Sequence, residues 1–238
     1  NYVAAEACGF DRVADRMDAV ALTDGARLEG DVFVNAAGPW VADVLATTDA
    51  TPSGARVRHV KGSHIVVPRV HDEEHAYILQ NSDNRIVFVI PYQERWSLIG
   101  TTDVPVDEYD APRISDDETD YLIALANAYL EKPISRADVV WSYSGVRPLY
   151  DDGTSDPSAV TRDYVLKLDA LDDAAGSERA PVLSIYGGKI TTYRKLAEAA
   201  LSELAPYFPG MKSGWTASET LPGGDLPGGD RAAFLAAL

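Results

Sequence analysis

The stretch LSIYGGKITTYRKLAEAAL, residues 183 to 201, changes character at its two glycines. Before them, Leu183, Ile185 and Tyr186 have the apolar composition of a buried strand. After them, apolar residues recur at helical spacing until Pro206 ends the run. The stretch therefore predicts a strand that ends in a Gly-Gly-Lys turn and leads directly into a helix.

Such a junction is a place where a ligand can approach the backbone. Gly187 and Gly188 have no Cβ, so a bound group can come close to the main chain. The first N–H groups of a helix are unpaired and carry the positive end of its dipole, which favours an electron-rich ligand above Gly188. An ordinary turn with a solvated Lys189 is the alternative, and this stretch alone leaves both open.

Composition limits the class of protein and its partners. The 238 residues are 46% hydrophobic, which is enough for one large or two modest domains. No apolar run approaches the roughly 20 residues of a membrane-spanning helix. Cys8 is the only cysteine, which excludes an internal disulfide and a Cys-cluster metal site and fits a reducing cytoplasm. A net charge of -16 without a basic cluster argues against binding to nucleic acid.

An α/β pattern surrounds a β-rich segment. Residues 20–38 predict two strands around an Asp24-Gly25 turn and then a short apolar strand that ends in small residues before a helix. From residue 56 to about residue 168, strand patterns dominate, with a tight turn at QER, residues 93–95. We expect this β-rich segment to form one antiparallel sheet.

One helix interrupts the β-rich segment. Ser115 followed by Glu118 has the spacing of a capping box, and Pro133 follows the predicted end of the helix. Its predicted apolar stripe consists of Leu122, Leu125, Ala126 and Tyr129.

Two polar groups lie next to predicted strands. His64 comes at the start of an apolar strand, and its imidazole can move a proton near neutral pH. Thr101 and Thr102 place two hydroxyls, followed by a carboxylate, at a strand end. A hydrogen-bonded structural histidine and a Thr/Asp turn motif are the alternatives.

Two arginines offer an anion site. Arg147 stands beside Pro148 among aromatic and apolar neighbours, where a guanidinium is hard to bury without an anion. Arg162 precedes a strand, although the adjacent Asp163 fits a local ion pair equally well. With Lys189, these side chains indicate an anionic substrate near a proton acceptor. The four histidines lack a ligand spacing such as HExxH, so we expect no metal.

Seven motifs occur in an order that is specific to one family. The chain, from about Val32 to Gly224, closely resembles the FAD-dependent glycerol-3-phosphate dehydrogenases, the quinone-linked respiratory enzymes. The motifs are VNAAGPWV (34–41), KGSHIVVPR (61–69), YILQNSDNRIVFVIPY (77–92), IGTTDV (99–104), YSGVRPL (143–149), TRDY (161–164) and GGKITTYRKLAE (187–198).

The resemblance implies a reaction and a substrate site. The family oxidises the C2 alcohol of sn-glycerol 3-phosphate to dihydroxyacetone phosphate, passing a hydride to FAD and electrons to a quinone. By resemblance, His64 is the base that removes the alcohol proton, and Arg147 and Arg162 hold the phosphate. Thr101 and Thr102 line the same pocket.

The resemblance also implies a cofactor site. Lys189 and the N–H groups after Gly188 would stabilise negative charge on the reduced flavin. The residues expected to bind FAD are Ala37, Gly38, Gly187, Gly188, Lys189, Ile190 and Thr191.

The expected fold class is α+β or α/β, with a β-rich antiparallel substrate domain inserted in part of a Rossmann-like FAD-binding domain. The family's N-terminal GxGxxG segment and C-terminal helical domain have no counterpart in these residues, so we expect an internal fragment. The expected divisions are a partial FAD-binding domain (1–50), a cap domain (51–180), the strand-GGK-helix unit of the FAD-binding domain (181–206), and a linker with the start of the next domain (207–238).

The expected partners are glycerol 3-phosphate and a quinone, with no nucleic acid and with a homodimer as an open expectation. By resemblance, the parent protein is cytoplasmic and peripheral to the inner face of the cytoplasmic membrane. Two other functions stay open. One is a related FAD-dependent amine or amino-acid oxidase, and the other is a non-catalytic binding domain without cofactor.

Overall fold

A computed structural model describes residues 3–13, 16–47, 56–83, 85–151, 153, 163–169, 180–212, 214–221 and 223–236. The strands are β1 (Ala7–Val13), β2 (Arg16–Leu22), β3 (Arg27–Glu29), β4 (Phe33–Asn35), β5 (Arg56–Pro68), β6 (Tyr77–Gln80), β7 (Ile86–Tyr92), β8 (Trp96–Gly100), β9 (Val104–Pro105), β10 (Trp141–Asp151), β11 (Val165–Asp169) and β12 (Val182–Tyr186). The α-helices are α1 (Val41–Ala46), α2 (Asp116–Asn127), α3 (Tyr193–Leu204) and α4 (Arg231–Ala236).

The described strands form three sheets, and the first contains β1, β2 and β3. Its last hairpin turns at Asp24 and Gly25, as the sequence predicts. Gly25 has a φ of 83°, which glycine adopts without strain, and the Asp24 carboxylate accepts a hydrogen bond from the N–H of Ala26 at 2.9 Å.

The second sheet has the order β11-β12-β4, and helices cover both of its faces. Leu183 and Ile185 of β12 pack against Ala200 and Leu204 of α3. Tyr186 points to the opposite face, where it packs with residues of α1. This two-sided burial explains why apolar residues of β12 face both sides of the sheet instead of alternating with exposed polar ones.

The third sheet has the order β10-β5-β8-β7-β6, with β9 paired to β5, and every pairing is antiparallel. The prediction of one antiparallel sheet is therefore confirmed for the strands from β5 to β10, whereas β11, at the end of the predicted segment, belongs to the second sheet. The hairpin between β7 and β8 turns at residues 93–95, where Gln93 and Glu94 both have positive φ.

Helix α2 covers one face of the third sheet and forms the largest core. Its side chains pack on residues that alternate along β5, β7 and β8, because successive strand residues point to opposite faces. The buried residues of this core are Ile65, Val67, Leu79, Val87, Val89, Ile99, Leu122, Leu125 and Ala126.

The capping box of α2 is present as predicted, but its apolar stripe is shorter. The Ser115 hydroxyl accepts from the Glu118 N–H, and the Glu118 carboxylate accepts from the Ser115 N–H. The assignment of Tyr129 to the stripe is wrong, because α2 ends at Asn127 and Tyr129 is 56% exposed. Its hydroxyl instead donates to the backbone carbonyl of Gln80.

The predicted divisions at residues 50, 180 and 206 stay predictions. Strand β11, which they assign to the cap, pairs with β12 in the second sheet. The segment predicted as a linker with the start of the next domain contains α4. Within the described residues, no helix combines the length and hydropathy needed to span a membrane.

Leu122 and Ile78 give a matched test of this core. Leu122 is fully buried against the third sheet, whereas Ile78 of β6 is 60% exposed. We expect Leu122→Ala to lower the free energy of unfolding by about 2 to 5 kcal/mol, because it removes buried methyl groups and leaves a cavity. Ile78→Ala should change it by roughly 0.5 kcal/mol or less. Urea denaturation followed by tryptophan fluorescence measures both, and equal losses would contradict the packing described here.

Candidate cofactor and substrate site

Two strand ends with small residues meet at one edge of the second sheet. Strands β4 and β12 are parallel neighbours, with Ser184 paired to Asn35, so their carboxyl ends lie side by side. Beyond β4 the chain continues through Ala37 and Gly38, and beyond β12 it continues through the two glycines. The carboxyl edge of parallel strands is the place where α/β sheets bind ligands.

Backbone conformation at this edge requires glycine. Gly187 and Gly188 have φ values of 71° and 100°, and Gly38 has a φ of 59°. A Cβ on Gly188 would lie 2.6 Å from Cδ1 of Leu196, whereas a Cβ on Gly38 would meet nothing within 4 Å. The space above Gly38 is therefore open.

The lysine turn differs in one respect from the prediction. A single 3₁₀ turn, Ile190–Thr192, separates Lys189 from the first residue of α3, Tyr193, so the helix does not begin directly after the lysine. Lys189, Ile190 and Thr191 are all exposed, and Ile190 is 86% exposed. An exposed apolar side chain thus stands beside a cation at the glycine edge.

Direct contacts connect the glycine edge to the third sheet. A Cβ on Gly187 would lie 3.6 Å from the carbonyl oxygen of Pro148 in β10. Nε2 of His59, in β5, lies 2.8 Å from the carbonyl oxygen of Pro39. The structure therefore brings Gly38 and Gly187 next to the strands that carry His64 and Arg147.

His64 lies in a row of paired residues that crosses four strands. Phe88, Gly100, His64 and Tyr143 are successive neighbours in β7, β8, β5 and β10. They occupy the face opposite α2. The imidazole stacks on the Tyr143 ring with 4.8 Å between the ring centroids. It fills the space beside Gly100, because a Cβ added to Gly100 would lie 2.1 Å from Cδ2 of His64.

The environment of His64 favours its neutral form. Burial and the nearby positive charge of Arg147 lower the pKa of the imidazole below its ordinary value of 6.5. Nδ1 is buried and has no hydrogen-bond partner among the described residues. A half-buried neutral imidazole with an unused ring nitrogen can accept or orient a proton near neutral pH.

Arg147 lies on the same face of the sheet and is one-third exposed. Its Nη1 donates to Oδ1 of Asp103 at 2.8 Å and to the carbonyl oxygen of Thr102 at 3.4 Å, and its Nη2 donates to Oγ1 of Thr101 at 3.0 Å. The guanidinium passes over Gly62, where a Cβ would lie 2.3 Å from Nη2. These contacts hold the guanidinium in one orientation.

Thr101 and Thr102 point to opposite sides of the chain. Thr101 faces Arg147, as expected for a pocket residue. Thr102 is 2% exposed, and its hydroxyl donates to Oε1 of Glu118 at 2.7 Å, away from Arg147. The Thr102 side chain therefore does not line the pocket as predicted, and it supports the segment from behind. Arg162, the second predicted phosphate ligand, lies outside the described residues.

Sequence reasoning missed the pairing of Asp103 with Arg147, the stacking of Tyr143 on His64 and the contacts of Glu118 beyond the helix cap. A buried carboxylate is normally difficult to ionise, so burial acts to raise the pKa of Glu118. Hydrogen bonds from Lys61, the Ser115 N–H, Thr102 and Ser63 outweigh burial and lower this pKa to about 2. The capping-box spacing identified Glu118, but that motif reports only its local bond.

The FAD dependent oxidoreductase family matches residues 2–194. The chain belongs to this family. The resemblance and the fold class predicted from sequence are confirmed, and FAD is the cofactor of this family of oxidoreductases.

Two curated relatives of this chain act on phosphorylated polyols, according to their names. The aerobic glycerol-3-phosphate dehydrogenase of Escherichia coli K12 is 50% identical over 207 residues, which cover 87% of this chain and 40% of that protein. The D-erythritol 1-phosphate dehydrogenase of Brucella abortus strain 2308 is 46% identical over 207 residues, with the same two shares. The chain thus spans about two fifths of the length of these relatives.

One solved structure has the same fold and contains the cofactor. The glycerol-3-phosphate dehydrogenase from Bacillus halodurans, complexed with FAD, is 28% identical, with a TM-score of 0.75 over 92% of this chain and 42% of that chain. The glycine edge of this chain fits such a group. Open space above Gly38, an exposed Ile190 and the adjacent Lys189 suit a flat aromatic ring with an electron-rich end.

Gly100 and Gly145 give a matched test of the His64 position. We expect Gly100→Ala to displace the imidazole, because the new methyl group would overlap it, and to cost about 1 to 3 kcal/mol of stability through overpacking. The ring signals of His64 in NMR spectra should lose the shift caused by Tyr143, and the pKa should rise towards 6.5. In the control variant Gly145→Ala, the new methyl group would meet nothing within 4 Å, so the ring signals and the pKa of His64 should not change. An unaltered His64 spectrum in Gly100→Ala would contradict this geometry.

Proposed function

We propose that this chain forms the substrate site and one side of the flavin site of a dehydrogenase that oxidises glycerol 3-phosphate to dihydroxyacetone phosphate. The observation that carries the proposal is the placement of His64 and Arg147 on one open sheet face, beside the glycine edge. A proton acceptor, an anion-binding group and a cofactor edge are the three features that such a reaction needs. The relatives' names supply the substrate.

Arg147 is the proposed phosphate ligand. Guanidinium suits phosphate because it offers parallel N–H donors and keeps its charge at every working pH. Asp103 and Thr101 occupy donors on two of its nitrogens and so fix the plane of the group before substrate arrives. Arg162 is proposed as a second ligand from its motif alone.

His64 is the proposed base. An alcohol releases hydride from its carbon readily only when the hydroxyl proton also leaves, and a neutral imidazole can take that proton. Stacking on Tyr143 fixes the plane of the imidazole. The lowered pKa keeps it unprotonated before turnover at neutral pH.

The proposed FAD contacts lie along the glycine edge. They are Ala37, Gly38, Gly187, Gly188, Lys189, Ile190 and Thr191. When bound, FAD accepts the hydride from C2 and later releases the two electrons to quinone. Lys189 supplies a positive charge in a chain whose net charge is -16, which favours an electron-rich group at this edge.

The proposal also covers the electron acceptor and the location of the parent protein. By analogy with the quinone-linked family, the electron acceptor is a quinone, and the parent is peripheral to the inner face of the cytoplasmic membrane. A homodimer stays an open prediction.

D-erythritol 1-phosphate is the second candidate substrate. The observation in its favour is the 46% identity to an enzyme named for it. The chemistry is shared, because both substrates present a phosphate and a secondary alcohol. Discrimination between them depends on the space beyond the reacting carbon, so both belong in one substrate test.

Substrate choice and the role of Arg147 are tested together on the full-length protein. We expect anaerobic glycerol 3-phosphate to bleach its flavin absorbance. Arg147→Ala should raise KM about 10- to 150-fold, since a charge-assisted contact contributes about 1.5 to 3 kcal/mol. Activity on plain glycerol, which has no phosphate, should fall much less. Arg136→Ala, which removes an exposed ion-paired arginine, is the control and should leave KM unchanged.

Other outcomes of the same test decide against the proposal. Bleaching by D-erythritol 1-phosphate with a much lower KM would assign that substrate instead. Bleaching by amines or amino acids but by neither phosphate would indicate an oxidase of the alternative class, and a full-length protein without flavin would indicate a binding domain. Equal losses on glycerol and glycerol 3-phosphate would assign Arg147 to folding or to the chemical step.

The pH dependence of flavin reduction tests His64. Because only the neutral imidazole accepts a proton, kcat/KM should rise with pH through the pKa of His64, and burial and Arg147 place that limb below pH 6.5. His64→Asn should remove the limb and slow single-turnover flavin bleaching by roughly 100-fold or more. His75→Asn, at an exposed histidine, is the control. A His64→Asn variant with the parental rate and pH profile would make His64 a structural residue.

A further inference from the structure

Behind the substrate face lies a buried carboxylate that the proposed mechanism does not use. Glu118 is 5% exposed and accepts hydrogen bonds on both oxygens. Oε1 accepts from the hydroxyls of Ser63 at 2.8 Å and Thr102 at 2.7 Å, and Oε2 accepts from Nζ of Lys61 at 2.8 Å and from the Ser115 N–H at 2.8 Å. A helix cap alone needs only the last of these bonds.

The two segments that Glu118 binds also surround Arg147. Residues 61–63 present Lys61 and Ser63 to Glu118 and present Gly62 to Arg147. Residues 101–103 do the reverse, since Thr102 faces Glu118 while its two neighbours face the guanidinium. One carboxylate therefore lies behind the groups that Arg147 touches in these two segments.

A further bond joins the two segments to each other. The Thr102 hydroxyl accepts from the Ser63 N–H at 2.9 Å while it donates to Glu118. With one acceptor site and one donor used, this hydroxyl is held in a single orientation. The backbone that carries Thr101 and Asp103 is thereby fixed relative to β5, and those two residues fix the guanidinium.

We propose that Glu118 is a positioning residue that acts through Thr102 to orient Arg147 for an anionic substrate group. The inference rests on the proposed function in one respect, namely that Arg147 binds the phosphate. A carboxylate suits the position because it accepts four hydrogen bonds and balances the buried charge of Lys61. A glutamine at position 118 would have the same shape, but its NH₂ group is a donor and would face another donor instead of accepting from it.

The decisive variant is Thr102→Val in the full-length protein, because it removes the link while leaving Glu118, Lys61 and the helix cap in place. Thr102→Ser keeps the hydroxyl. Ser115→Ala is the control, since it removes a cap bond to the Glu118 N–H without touching residues 101–103. Glu118→Gln completes the set if it folds, and the other three variants suffice if it does not.

Two measurements separate positioning from stability. The first measurement is the rate at which phenylglyoxal modifies Arg147, followed by mass spectrometry with Arg136 as the internal reference. The same assay gives the concentration of inorganic phosphate that halves this rate. We expect Thr102→Val to raise both the modification rate and that phosphate concentration about fivefold, the effect of one net hydrogen bond. The second is steady-state kinetics, in which KM for glycerol 3-phosphate should rise by a similar factor while kcat changes less.

The expected pattern has Thr102→Ser much closer to the parent than Thr102→Val, and Ser115→Ala with a lower melting temperature but parental Arg147 reactivity. If Thr102→Val lowers only the melting temperature, as Ser115→Ala does, the proposal is wrong and Glu118 serves the fold alone. A parent protein that fails to oxidise glycerol 3-phosphate would overturn the proposed function instead. Arg147 reactivity would still decide the positioning role, because it requires no turnover.

Discussion

The register of β5 against β10 is the constraint on which the site depends. Tyr143 pairs with His64 and Arg147 pairs with Val60, so the imidazole and the guanidinium project from the same face. A shift of one residue between the two strands would turn one of them over, so the imidazole and the guanidinium would project from opposite faces, because side chains alternate with a period of two. A shift that turned β5 over would also expose Ile65 and Val67, which are fully buried. The hydrophobic core thus selects the register that assembles the polar face.

Packing on one face of the sheet and chemistry on the other are coupled through a few small or polar residues. Gly62 and Gly100 provide the space in which Arg147 and His64 lie. On the reverse face, Glu118 accepts hydrogen bonds from the side chains of Ser63, Thr102 and Lys61 beside the apolar core. Four donors, one of them the ammonium group of Lys61, surround its oxygens, so the cluster is built around an ionised carboxylate. This polar network therefore helps to hold in place the segments that carry the open face.

The parallel pairing of β4 with β12 forms the glycine edge, which is the part of the site outside the third sheet. It places two turns of small residues at one carboxyl edge, which lies close to Pro148 of β10 and contacts His59 of β5 through the Pro39 carbonyl. A ligand at this edge would border the open face that carries His64 and Arg147. Membership in the FAD-dependent oxidoreductase family agrees with such an edge. The names of the relatives narrow the proposed chemistry to phosphorylated polyols.

The sequence by itself determined the local elements and the family. Strand β12 with its glycine turn, the hairpin at residues 93–95 and the capping box of α2 all follow from patterns within a few residues, because backbone preference and periodicity are local properties. The motif order identified the candidate site residues without showing how they meet. Only the tertiary structure decided which side of the chain Thr102 faces, that Tyr129 leaves the apolar stripe, and that Asp103 pairs with Arg147. These features depend on contacts between residues far apart in sequence, whose register is fixed by the packing of the whole sheet rather than by any short motif.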